Sequence, residues 1–583
     1  MKRHLISLSA ITVVGSSLIL AGCGTTSATA SGPSSTLGNA AVVGLPAQVS
    51  PNWWFPIEAS TSYSVYNNQV NMLMYKPLLQ ISKTDGINYA QSLASNVTWN
   101  STGTVYTITL NPKWHWSNGS PVTAADVVWS TDLMLYASSG NQNLPWGYGG
   151  AGIGGLPTQG STGRWQSVVA QGNHTVVVTL NTPSNPQWFL HNGLGQIVPV
   201  PKSVWDIHHN MNNELSFIKN VSNTPSASYY NVVDGPFKYA PSQSKPNNQY
   251  WTLVPNPQYD GHKATISKLV YQYETSSSAE FAALKTGKLN VGYLPPSLYT
   301  SRAQLTGDKI AVQYPFGFNY MVPNLNSKAP GGFGQIMSHR YARVALEMGI
   351  NQAGMIQSFY HGNGVTEYGP IPSKPKTQFL LSNLKNPAPF NPAAGKALLQ
   401  KHGWHLVNGV MTNAQGQKFE FTFDYVSGSN TLKNEVQLMK QDWAQEGIVV
   451  NLVSQPFNTL ISNTSQSDPS AWQLNAWGGG WTYEPDYYPT GGGLFASGSA
   501  ANYGGYVSST MNRLVQSTYA PGTNAQISQR MTAYQTYAAQ QLPVIWLPWT
   551  AQFGANATNM HGVNTTYNPI TDLMTPNYWT ISK

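Results

Sequence analysis

The chain has 583 residues, and only 9% of them are Asp, Glu, Lys or Arg, against about 25% in an average soluble domain. The net charge of +8 reflects 30 basic residues scattered without a run against 22 carboxylates, so it marks a scarcity of acids and gives no reason to expect a nucleic-acid partner. With one cysteine in the whole sequence, internal disulfides and multi-thiolate metal sites are excluded, and stability must come from a packed core. Asn, Gln, Ser, Thr and Tyr supply the polar surface. Such a surface suits an acidic exterior, because fewer carboxylates change charge between the native and unfolded states.

Lys2, Arg3 and His4 precede an uncharged run from Leu5 to Leu20. This has the charged start and apolar centre of a secretory signal over 1–22. Leu20-Ala21-Gly22-Cys23 then resembles the lipobox of bacterial lipoproteins, which implies that Cys23 is diacylated and becomes the mature N-terminus. Two acyl chains give stable membrane attachment. Residues 23–40 are rich in Gly, Ser, Thr, Ala and Pro and form a flexible stalk. No later apolar run approaches the roughly 20 residues that span a bilayer.

The body opens with the buried strand Ala41-Val42-Val43-Gly44-Leu45, the aromatic loop Pro51-Asn52-Trp53-Trp54-Phe55-Pro56 and a helix pattern from Tyr63 to Tyr75, ended by Lys76-Pro77. The strand Val105 to Leu110 leads to a turn at Asn118-Gly119, after which Thr123 caps a helix with Asp126 at its N3 position. Residues 138–163 read as a long loop. Gly147 to Gly152 fits GxGxxG without the flanking strand and helix that a dinucleotide site needs. A second strand covers His174 to Leu180, and Asp234-Gly235-Pro236-Phe237-Lys238-Tyr239 turns into another. Leu253 to Tyr259 includes Asn256-Pro257-Gln258-Tyr259. The strand Lys268 to Tyr273 precedes Ser277-Ser278-Ala279-Glu280, which reads as a capping box, and Gly287 ends that helix. Residues 339–360 show one long helix pattern around Arg343, Ala345-Leu346 and Gly349-Ile350-Asn351. A helix then starts at Asn391-Pro392, and the strand Phe419 to Tyr425, the helix Leu432 to Glu446 and the strand Ile448 to Val453 follow.

From about residue 41 to Pro548 this ordered series resembles the extracytoplasmic solute-binding proteins of family 5, the dipeptide and oligopeptide-binding lipoproteins of ABC importers. Two departures are Asn118-Gly119 in place of Asp-Gly and Asn290 in place of an acid. The resemblance implies an α/β, periplasmic-binding-protein type II-like fold of the large cluster C type. It has two main lobes with a hinge and an extra inserted lobe. The corresponding division is lobe I over 41–77, 199–300 and 546–583, lobe II over 78–198 and lobe III over 301–545. It further implies a monomer that captures a peptide by lobe closure and delivers it to the transmembrane subunits of a permease, with no cofactor. The expected location is the extracellular face of the bacterial cell membrane, or the periplasm where an outer membrane exists.

The ligand-binding expectation centres on Asn475 to Thr490. Gly478, Gly479 and Gly480 permit close backbone approach, and Trp477, Trp481, Tyr483 and Tyr487 offer aromatic walls. In peptide-binding members an Asp after the Gly-Trp of this segment grips the ligand's α-ammonium. Asp486 is the residue carried over and Glu484 its rival, and the alternative role for Asp486 is capping a helix or turn after Pro485. Asn319, Tyr320, Trp53 and Trp54 are further candidates to line the cleft, with packing in the core as the alternative for each. No HExxH, GxxxxGK[ST] or G-x-S-x-G occurs, so an enzyme is not expected. Glu484 and Asp486 stand too close in sequence for an ordinary glycosidase pair. The same fold binding an oligosaccharide, a nickel complex or haem is the leading alternative, and a secreted hydrolase or adhesin the more distant one.

Overall fold

Ala40–Gly44 is apolar and buried at every position, the pattern of a strand covered on both faces. It pairs in parallel with Lys268–Gln272 and Val291–Tyr293 at the centre of a seven-stranded sheet. In the computed structural model that sheet runs, in spatial order, Asp308–Gln313, Gln552–Ala557, Val291–Tyr293, Ala40–Gly44, Lys268–Gln272, Tyr250–Pro255 and Phe237–Tyr239. The described residues are 38–464, 468–484 and 486–582; the signal segment, Cys23 and the stalk up to residue 37 lie outside them. Asn290 explains one departure from the family pattern. Its side chain accepts from the Val42 N–H at 2.7 Å and donates to the Ala40 carbonyl at 2.9 Å, a double role that an ionised acid cannot fill.

A second sheet is built around Gly317–Pro323, buried along its whole length. Leu474–Ala476, Trp481–Thr482 and Ile545–Leu547 pair with it antiparallel, and Glu420–Val426 and Val449–Gln455 extend the sheet in parallel. A third, four-stranded antiparallel sheet comprises Ala94–Trp99, Val105–Leu110, Thr175–Leu180 and Trp165–Ala170. Its companion helix, Ala124–Ala137, starts as the sequence predicts. Asp126 accepts from the Thr123 N–H at 2.8 Å and hydroxyl at 2.9 Å, and from the Lys202 N–H at 2.8 Å.

The chain passes from the first sheet to the second between Gln313 and Gly317 and returns between Leu547 and Gln552. These crossings are tied together, since Trp549 Nε1 donates to the Pro315 carbonyl at 3.2 Å. The strand Asp308–Gln313 therefore belongs with the first sheet, and the crossing lies beyond it. Two expectations need correction. Ser276, not Ser277, caps the helix Ser277–Lys285, so Glu280 falls one place past N3 and accepts from the Tyr293 N–H at 2.9 Å instead. The long helix over 339–360 is two helices, Arg340–Met348 and Gln352–Phe359, because the Asn351 side chain caps the second at the Gly354 N–H. Among the described residues no helix is long and apolar enough to cross a membrane.

Candidate functional site

Between the first two sheets lies a cavity of about 340 Å³. One wall follows from the glycine run. Gly480 has φ +64°, and a Cβ there would stand 2.1 Å from the Phe318 carbonyl oxygen, so only glycine lets this loop fold onto the strand Gly317–Pro323. Gly479, by contrast, faces open space. The tight loop presents Trp477 and Trp481 to the cavity. Trp477 is fixed by its Nε1 donating to the Gly480 carbonyl at 2.7 Å, and it meets Tyr320 edge-on at 5.1 Å. Trp481 lies 6.5 Å from the Tyr63 ring.

The polar lining is one-sided. Glu280, Glu435, Glu484 and Asp572 all contribute to the wall, and among the described residues no Lys, Arg or His does. None of the four enters an ion pair among the described residues. Taking a carboxylate out of water favours its neutral form. Burial accordingly pushes Glu484 up to about 8, with the nearby Asp572 adding to the effect. Burial likewise carries Glu280 to about 8, and Glu435 and Asp572 to about 7. Tyr63 Oη, Tyr320 Oη, Trp481 Nε1 and Glu435 Oε1, all in residues of this wall, have no hydrogen-bond partner within the protein. Buried polar groups are normally satisfied by protein or ordered water.

The expected residues divide. Trp477, Trp481, Tyr320 and Glu484 meet at the cavity. Tyr487 lines a neighbouring small pocket of about 30 Å³, which it shares with Glu484 and Glu58. Asp486, the first choice for the α-ammonium, is 0% exposed and contributes nothing to the cavity wall. It accepts from Asn192 Nδ2 at 2.5 Å, Thr490 Oγ1 at 3.2 Å and the Gly491 N–H at 2.9 Å. With Asn192 also bonded to both backbone groups of Tyr488, Asp486 is a structural cap. Tyr483 is buried beside Phe316, its hydroxyl donating to the Pro370 carbonyl. Asn319 accepts from the Tyr320 N–H at 3.0 Å. Trp53 donates to the Ile57 carbonyl at 3.1 Å and packs edge-on against Trp146, and Trp54 packs against Tyr239. None of these four side chains reaches the cavity.

Sequence reasoning missed Glu280, Glu435 and Asp572, together with Tyr63, Tyr66, Tyr360 and Tyr503 of the same wall. The one available signal was scarcity: in a chain so poor in acids, each carboxylate in an apolar context warrants a reason.

A mixed α/β body with its ligand cavity between two sheets, joined by two short crossings, defines a bilobal solute-binding protein. Residues 88–503 match the middle-region model of the bacterial extracellular solute-binding proteins, family 5. The chain belongs to that family, whose members are binding proteins of transport systems and not enzymes. Among curated relatives, it is 24% identical to the nickel-binding periplasmic protein of Escherichia coli over 37% of this chain and 40% of that one. It is also 24% identical to di/tripeptide-binding protein 3 of Pseudomonas aeruginosa over 42% and 43%. The chain thus spans about two-fifths of the length of these relatives. The oligopeptide-binding protein AppA of Bacillus subtilis, solved with a nonapeptide, has a TM-score of 0.79 at 19% identity, covering 93% of this chain and 99% of that one. NikZ of Campylobacter jejuni, solved with Ni(L-His), has a TM-score of 0.71 at 16% identity, covering 93% and 99%. These structural likenesses establish the fold.

Proposed function

We propose that this protein is the lipid-anchored substrate-binding component of an ABC importer, and that it captures peptides between its two sheets by closure about the crossings at 314–316 and 548–551. The observation that carries the reading is Glu484. It is a carboxylate without an ion-pair partner, set beside Trp481 in a cavity whose lining, among the described residues, has no basic side chain. A peptide's α-ammonium supplies the missing charge. Trp477, Trp481 and Tyr320 offer adaptable apolar surface to its side chains, and the unpartnered hydroxyls and indole N–H can meet its backbone. Glu484 takes the role first assigned to Asp486. The peptide-binding relatives support this class of ligand. Cys23 anchors the monomeric carrier beside the permease, which receives the closed form.

The direct test is calorimetric titration of the purified body with short peptides and their N-acetylated forms. A charge-assisted hydrogen bond contributes about 1.5–3 kcal/mol, so acetylation and Glu484→Gln each lower affinity by at least about tenfold. Equal binding of free and acetylated peptides overturns the assignment. A nickel complex is the second reading, favoured by the nickel-binding relatives; tight binding of Ni–histidine with no peptide affinity would establish it.

A further inference from the structure

We infer that the preferred ligand carries two separated positive charges, the first at Glu484 and Asp572 and the second, an ammonium or guanidinium, at Glu435. This deepens the reading above and rests on it for the first charge. Glu484 and Asp572 act on each other electrostatically. Glu435 lies on a different element from Glu484 and Asp572, the helix Asn430–Glu446, where the Tyr360 hydroxyl hydrogen-bonds to its carboxyl group. Its side chain is 4% exposed, and although Tyr360 reaches the carboxyl group, its Oε1 accepts no hydrogen bond. A buried acceptor left empty costs about 1–3 kcal/mol, more when it is charged, and the cavity is where its partner can arrive. Glu280 adds a further acid to the wall, and no basic side chain of the described residues offsets any of them.

Two further points favour an organic cation. Among the described residues no group of three or more His, Cys, Asp or Glu is placed to hold a metal ion. The ligand's own carboxylate also finds no cationic partner here, which leaves its C-terminal end unselected and places discrimination on its positive groups. The two cations can come from a peptide, as its α-ammonium and a Lys or Arg side chain, or from a free diamine of similar span.

The experiment is calorimetric titration with Ala-Lys-Ala, its neutral isostere Ala-norleucine-Ala, and 1,5-diaminopentane, at pH 8 and low salt. The lysine peptide is expected to bind at least tenfold more tightly than the norleucine peptide. Glu435→Gln should remove most of that ratio. Binding of the diamine alone sustains the two-charge site and overturns the peptide source. Equal affinity for the lysine and norleucine peptides overturns the inference and leaves the peptide reading intact. Absence of binding by all three overturns both. The isostere comparison uses the unaltered protein, so it decides even if the variant folds poorly.

Discussion

Two neighbouring stretches of one segment, Trp477–Glu484 and Asp486–Gly492, have similar composition: glycines, aromatics and one carboxylate each. Their surroundings separate them. The first bends back at Gly480 onto the strand Gly317–Pro323 and opens its rings and Glu484 to the cavity. The second is fastened to Asn192 and closed off, with Asp486 accepting from Asn192, Thr490 and the Gly491 N–H. A carboxylate held by several donors contributes to the fold, whereas Glu484 stands at the cavity wall outside any ion pair of the described residues.

Breaking either stretch should give opposite outcomes. The largest effect is expected from Asp486→Ala, which strands the Asn192 amide and the Gly491 N–H in the interior. About 2–4 kcal/mol of stability should be lost, read as a shift in the denaturant midpoint, with ligand affinity of the folded fraction little changed. Gly480→Ala comes next, because its Cβ meets the Phe318 carbonyl at 2.1 Å with φ at +64°. A loss of about 1–3 kcal/mol is expected, against less than about 0.5 kcal/mol for Gly479→Ala, which meets nothing within 4 Å. Equal effects of the two glycine substitutions would contradict the geometry of the loop.

In pH both stretches act alike. Glu484 and Asp486 are raised to about 8 by burial, Glu280 to about 8 and Glu435 to about 7. In the unfolded chain these groups titrate near 4. Between roughly pH 4.5 and 8 the folded state therefore binds more protons, and stability falls as pH rises, by at most about 1.4 kcal/mol per unit for each such group. Thermal melts of the empty protein should move upward from pH 8 to pH 5. A melting temperature that falls over that range would contradict the burial of these acids. This is a stronger form of the acid tolerance suggested by the low charge: the acids are few, and several of them are neutral when folded under mildly acidic conditions. A bound cation reverses their preference, so cation affinity should weaken as pH drops through the same window.

Much of the scaffold was legible because it is written in local physics. Thr123 with Asp126, Asn391-Pro392 and Gly287 punctuate helices by short-range bonds and backbone geometry. The glycine and tryptophan run likewise marked one cavity wall. The choice between Glu484 and Asp486 was not legible, since it turns on Asn192, 294 residues away from Asp486 in the chain. Glu280 resembled a helix-capping residue, and Glu435 an ordinary polar position of a long helix. Each became a cavity group only when the two sheets were brought together, which no local pattern records. The same limit applies to the sheet membership of a single strand. The strand Asp308–Gln313 joins the first sheet through its partner Gln552–Ala557, and that pairing is visible only in three dimensions.

The most direct test compares one N-terminally free peptide against Glu484→Gln and Asp486→Asn by calorimetry, each variant checked for a folded melting transition. The account predicts at least a tenfold loss of affinity for Glu484→Gln, with its stability nearly unchanged. For Asp486→Asn it predicts affinity within about threefold of the parent and a lower melting temperature. The reverse pattern, with binding lost at 486 and kept at 484, would contradict it.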